Sequence, residues 1–71
     1  MSKITGWKAL DEHVLVVATS GFGEWTAYIG AVPGKSHDNE VSEVAAKGTK
    51  LSQKLATILF PTLAAENRWR D

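Results

Sequence analysis

The chain has 71 residues, no cysteine, three tryptophans, an apolar fraction of 44% and a formal net charge of zero. That length holds a single domain spanning residues 1–71, the lack of cysteine excludes disulfides and thiolate metal sites, and the apolar share excludes a disordered chain. A balanced charge also argues against general affinity for nucleic acid, which draws on an excess of cations.

In chain order, the opening residues have no apolar h-region behind Lys3, and residues 4–10 read as a first strand turning at Asp11-Glu12. Val14-Leu15-Val16-Val17-Ala18 is the strongest strand signal and the longest aliphatic run. It is far too short to span a membrane, so a cytoplasmic chain with no membrane contact is expected. Gly21-Phe22-Gly23 punctuates the chain, and Trp25-Thr26-Ala27-Tyr28-Ile29 supplies a further strand. A four-residue hairpin loop at residues 20–23 would place Val14, Val16, Ala18, Trp25, Ala27 and Ile29 on one wholly apolar face. The other face would carry Leu15, Val17, Thr19, Glu24, Thr26 and Tyr28. A tight first turn would add Trp7 and Ala9 to the apolar face, beside Val16 and Val14.

Pro33-Gly34 ends the sheet. Beyond it the periodicity becomes helical, with Ser36 or Asp38 as an N-cap and Val41, Val44 and Ala45 on one stripe. Gly48 stands either as a C′ glycine or inside an extended link over residues 47–50. Thr49 or Ser52 caps a second helix with the stripe Leu51, Leu55, Ile58 and Leu59, and Pro61 stops or kinks it. The expected class is α+β: a three-stranded antiparallel β-meander, then two or three short C-terminal helices packed on one sheet face.

Motifs for chemistry are sparse. Residues 30–36 resemble a phosphate-binding loop in following a strand and preceding a helix, but they hold three residues between the glycines where that loop needs four. Pro33 also removes a backbone donor, so no nucleotide site is assigned. His37 and Glu40 stand at i, i+3, a two-ligand set that reads as a solvated helix start. Ser20 lies in a turn without the G-x-S-x-G pattern. Neither a catalytic residue, a metal site nor a cofactor is assigned. Phe22 sits at a hairpin tip, a natural place for a contact residue.

The expected function is therefore that of a non-enzymatic interaction module that self-associates. A two-layer domain covers one sheet face and leaves Leu15, Val17 and Tyr28 in water, with Trp69 as a further contact residue. A homodimer or another protein partner would cover them, or the segment after Pro61 would wrap round within one chain and place Leu63 and Trp69 there. Residues 1–46 carry three lysines and six acids, and residues 47–71 five bases and two acids, giving halves of −3 and +3 that attract. The rival reading is a weak nucleic-acid-binding regulator using Lys47, Lys50, Lys54, Arg68, Trp69 and Arg70, where indole stacks and guanidinium binds phosphate.

Overall fold

The computed structural model describes residues 3–32, 38–66 and 68–70. Strands β1 (Lys3–Ala9), β2 (Val14–Gly21) and β3 (Glu24–Ala31) form an antiparallel meander. A two-residue strand, β4 (Thr49–Lys50), pairs with β3 and gives the sheet order β1-β2-β3-β4. Three helices, α1 (Asp38–Lys47), α2 (Gln53–Leu59) and α3 (Pro61–Ala64), complete the α+β fold. Among the described residues no helix is long and apolar enough to cross a membrane.

The β2–β3 hairpin closes on two residues rather than four. Phe22 and Gly23 both take positive φ, 57° and 78°, as a type I′ turn requires. The register therefore pairs Val16 with Ile29 and Ala18 with Ala27. This is a slip of two from the expected pairing, so every side chain stays on its expected face. Phe22 is a bulky residue in a conformation suited to asparagine or glycine, and it is 85% exposed, so burial does little to offset the strain. Phe22→Asn is expected to stabilise the chain by about 1 kcal/mol, raising the melting temperature by about 4–8 °C. Thermal unfolding followed by far-UV circular dichroism checks this.

The first hairpin differs by one residue, and that difference matters more. Leu10 N–H donates to the Val14 carbonyl at 2.9 Å, and His13 N–H donates to Asp11 Oδ1 at 2.6 Å. The Asp11 side chain thus builds an Asx turn and widens the connection to three residues. Trp7 now pairs with Val17 and Ala9 with Leu15, not with Val16 and Val14 as a tight turn would require. An odd slip turns the strand over, so Trp7 and Ala9 lie on the opposite face from the one expected. A bulge between Ile4 and Gly6 then brings Ile4, opposite Thr19, onto the same face as Trp7.

The helices do not share one sheet face. Val41 and Val44 of α1 pack with Leu15, Val17 and Val32, with Tyr28 and Ala45 at the margin. Leu51, Ala56 of α2 and Phe60 pack on the other side with Val16, Ala18, Trp25 and Ala27, joined by Leu59, Leu63 and Trp69. The sheet is therefore the middle of three layers. Consecutive residues Leu15, Val16, Val17 and Ala18 are all fully buried, the pattern of a strand covered on both faces. On the α1 side, the buried hydroxyls of Thr19 and Thr26 hydrogen-bond across the strands at 3.0 Å.

Two glycines set how closely these layers approach. A Cβ on Gly30 would stand 2.9 Å from Val44 Cγ2, so the bare backbone lets α1 lie against β3. A Cβ on Gly48 would meet the carbonyl oxygens of Val44 at 2.5 Å and Ile29 at 3.0 Å. Gly48 is not a left-handed cap, since among the described residues only Phe22 and Gly23 have positive φ. Its N–H donates to Val44 O at 2.8 Å, and the chain passes directly into the extended β4. Of the expected link over residues 47–50 only Thr49 and Lys50 are extended, since Lys47 still belongs to α1 and Gly48 closes its last turn.

Ser52 caps α2, its Oγ accepting from Leu55 N–H at 3.3 Å. Pro61 opens α3 at a position where its missing N–H costs nothing. Of the expected stripe, Leu51 and Leu59 pack against the sheet but Leu55 and Ile58 do not. Ala56, Leu59 and Phe60 face the sheet, while Leu55 and Ile58 are 52% and 67% exposed. The Pro33-Gly34 turn, Ser36 as a cap, His37 as a ligand and most of the phosphate-loop-like stretch lie outside the described residues.

Candidate interaction surface

Of the four residues expected to form an interface, Leu15 and Val17 lie inside the domain and Tyr28 and Trp69 are half-buried. Leu15 and Val17 are fully buried beneath α1, and neither reaches the surface. Tyr28 is half-buried on the same face and pairs with Lys50 of β4. The chain's own first helix thus covers the face that was expected to stand in water. That burial leaves Leu15 and Val17 inside the chain, out of reach of a partner.

Trp69 lies on the other side. Trp25 N–H donates to Arg68 O at 3.0 Å, and Arg70 N–H donates to Trp25 O at 3.2 Å, so the C-terminal segment bridges β3 in parallel. The Trp69 ring meets that of Trp25 edge to face, at 4.6 Å between centroids and 83° between planes. Phe60 meets Trp25 from another direction at 6.5 Å. Trp25 Nε1 is buried and has no hydrogen-bond partner among the described residues, so aromatic packing holds the indole. Trp69→Ala is expected to cost about 2–3 kcal/mol, under the range for a fully buried aromatic because the ring is half-buried. Urea titration with near-UV circular dichroism, which reports the coupled indoles, checks this.

The six residues of the rival nucleic-acid reading are not assembled into a stacking platform. The Lys50 ammonium stands 5.6 Å over the Trp69 ring, and Trp25 packs against the same indole. The Arg70 side chain lies 3.9 Å from the Glu24 carboxylate. Arg68 and Lys54 are exposed, and Lys47 ends α1 on the far side of the sheet from Trp69. Lys47 there lines a small cleft of about 140 Å³ together with Glu40 and Glu43. A broader cleft of about 320 Å³ at the turn end of the β2–β3 hairpin mixes Glu24, Glu66 and Arg68 around Phe22 and Trp25. Neither cleft gathers charge of one sign.

What the structure does present is an asymmetric sheet. The outer edge of β3 is occupied from Trp25 to Ile29: Trp69 bridges Trp25, Leu51 N–H donates to Ala27 O at 2.8 Å, and β4 pairs with Tyr28 and Ile29. The outer edge of β1 is paired by nothing among the described residues. All seven residues of β1 are exposed or half-exposed. Ile4 and Trp7, 38% and 46% exposed, share its α1 side, and Leu10 follows at the strand end. Free backbone donors and acceptors beside accessible apolar side chains can accept another strand. The strand itself was visible in the sequence, but which strand stands at the open edge follows from the distant pairings of Thr49, Lys50 and Trp69. Compared with known protein families, characterised proteins and solved structures, the chain matches none.

Proposed function

We propose that this chain is a non-enzymatic interaction module that binds another polypeptide along the outer edge of β1. The observation that carries this reading is the contrast between the two sheet edges, one occupied by the chain's own C-terminal half and the other, along β1, joined to no further strand among the described residues. An exposed edge strand is a liability unless a protein guards or uses it. Here Lys3, Lys8 and the bulge at Ile4 and Gly6 guard it against indiscriminate pairing, while Ile4 and Trp7 offer apolar contact.

The test is a footprint. In a complex with a co-purified partner, the amides of residues 3–9 should gain protection from hydrogen exchange while those of α2 do not. Protection confined to α2 or to Arg68 and Arg70 would overturn the reading. So would binding that single-stranded nucleic acid competes away with a steep dependence on salt.

A further inference from the structure

We propose that the partner segment is an extended strand in which acidic and apolar residues alternate. This rests on the reading of β1 as the binding edge and names the chemistry that edge selects. The register divides the side chains of β1 into two sets. Lys3, Gly6 and Lys8 lie on the α2 side, opposite Ser20, Ala18 and Val16, whereas Ile4, Trp7 and Ala9 lie on the α1 side, opposite Thr19, Val17 and Leu15. The bulge lets Ile4 and Trp7, three positions apart, share a face.

An added strand continues both faces of the sheet, because directly opposed residues point the same way. On the α2 side its side chains meet two ammonium groups. Within β1 no carboxylate balances them, and Asp11 and Glu12 lie beyond the strand, in the turn. The Lys8 ammonium stands 5.8 Å from the Phe60 ring, which places its charge on the α2 side of the sheet. On the α1 side the added strand meets Ile4 and Trp7 beside the α1 layer. Strand side chains alternate with a period of two, so these two environments translate into acid, apolar, acid, apolar along the partner.

A second copy of β1 does not fit. Antiparallel pairing of two identical edges about a two-fold axis continues like face with like face. It would set the Lys3 and Lys8 side of one chain against the same side of the other. Like charges opposed across strands disfavour pairing. The same charges favour a strand bearing acids at alternate positions.

The experiment uses the isotopically labelled full chain and three seven-residue peptides: alternating Glu and Val, alternating Lys and Val, and a block of Glu followed by a block of Val. The alternating Glu/Val peptide should give saturable amide shifts over residues 3–9 and slow their exchange. The Lys/Val peptide should bind about tenfold more weakly, the worth of two cross-strand charge pairs, and the block peptide should bind no better than the Lys/Val peptide. Preference should reverse in the double variant Lys3→Glu, Lys8→Glu. If that variant fails to fold, Lys3→Gln, Lys8→Gln should abolish the preference instead. Equal binding of all three peptides at β1 would overturn the acidic–apolar assignment and leave the edge as the binding site. Shifts confined to α2 or to the C-terminal segment, or no shifts with any peptide, would overturn both.

Discussion

Replacing Val17 by lysine is expected to unfold the chain, whereas replacing Ile58 by lysine is expected to leave stability within about 0.5 kcal/mol of the parent. Both residues are β-branched aliphatics in regular elements, and composition does not separate them. Burial does: Val17 is fully enclosed between β1, β3 and α1, while Ile58 is 67% exposed on the outer side of α2. An unpaired ammonium at position 17 costs several kcal/mol even after relaxation. A domain this small has a total stability toward the low end of about 5–15 kcal/mol. Denaturant titration of the two variants beside the parent decides the matter. A folded Val17→Lys protein would mean that α1 does not cover this face.

The second large effect is expected at Gly48. Gly48→Ala should cost about 3 kcal/mol or more, at or above the upper end for a forced fit into packed structure. The added methyl would meet two backbone oxygens, Val44 O at 2.5 Å and Ile29 O at 3.0 Å, and neither can swing aside as a side chain would. One oxygen belongs to α1 and the other to β3, so relief requires the helix to move off the sheet or β4 to lose its pairing with Tyr28 and Ile29. Gly30→Ala is the milder comparison, because its Cβ would meet only the Val44 side chain, at 2.9 Å for the nearest atom. Chemical denaturation of both variants should rank them in that order. The reverse order would show that the α1–β4 junction is looser than drawn.

The meander, its central strand and the Ser52 and Pro61 punctuation were legible in the sequence because each rests on local chemistry. The two faces of β2 and β3 were legible too, even with the wrong loop length, since a two-residue slip preserves parity. What could not be read was a matter of parity or distance. At Asp11 one side-chain hydrogen bond to His13 made the connection odd and turned β1 over. In α2 two apolar stripes compete, Leu55 with Ile58 and Ala56 with Phe60. The choice falls to the pair that fits beneath Trp25, a residue of a remote strand. The apolar run at residues 14–18 is equally the mark of an exposed second face and of a strand between two layers. Val41 and Val44 decide for the latter. The open edge was illegible for the same reason, since it is defined by where Thr49, Lys50 and Trp69 return.

β2 has a neighbour in every direction: β1 and β3 along its two edges, α1 on one face and the layer around Ala56 and Phe60 on the other. Its amides therefore have no local route to solvent, and their exchange must wait for the whole chain to come apart. The opening free energies that the protection factors of Val16 and Val17 give should equal the free energy of global unfolding, while those along β1 fall well below it. This makes β2 a clock for the entire molecule. A ligand bound at the far strand would slow that clock by its mass-action contribution to stability, even though it touches none of the residues that keep the time.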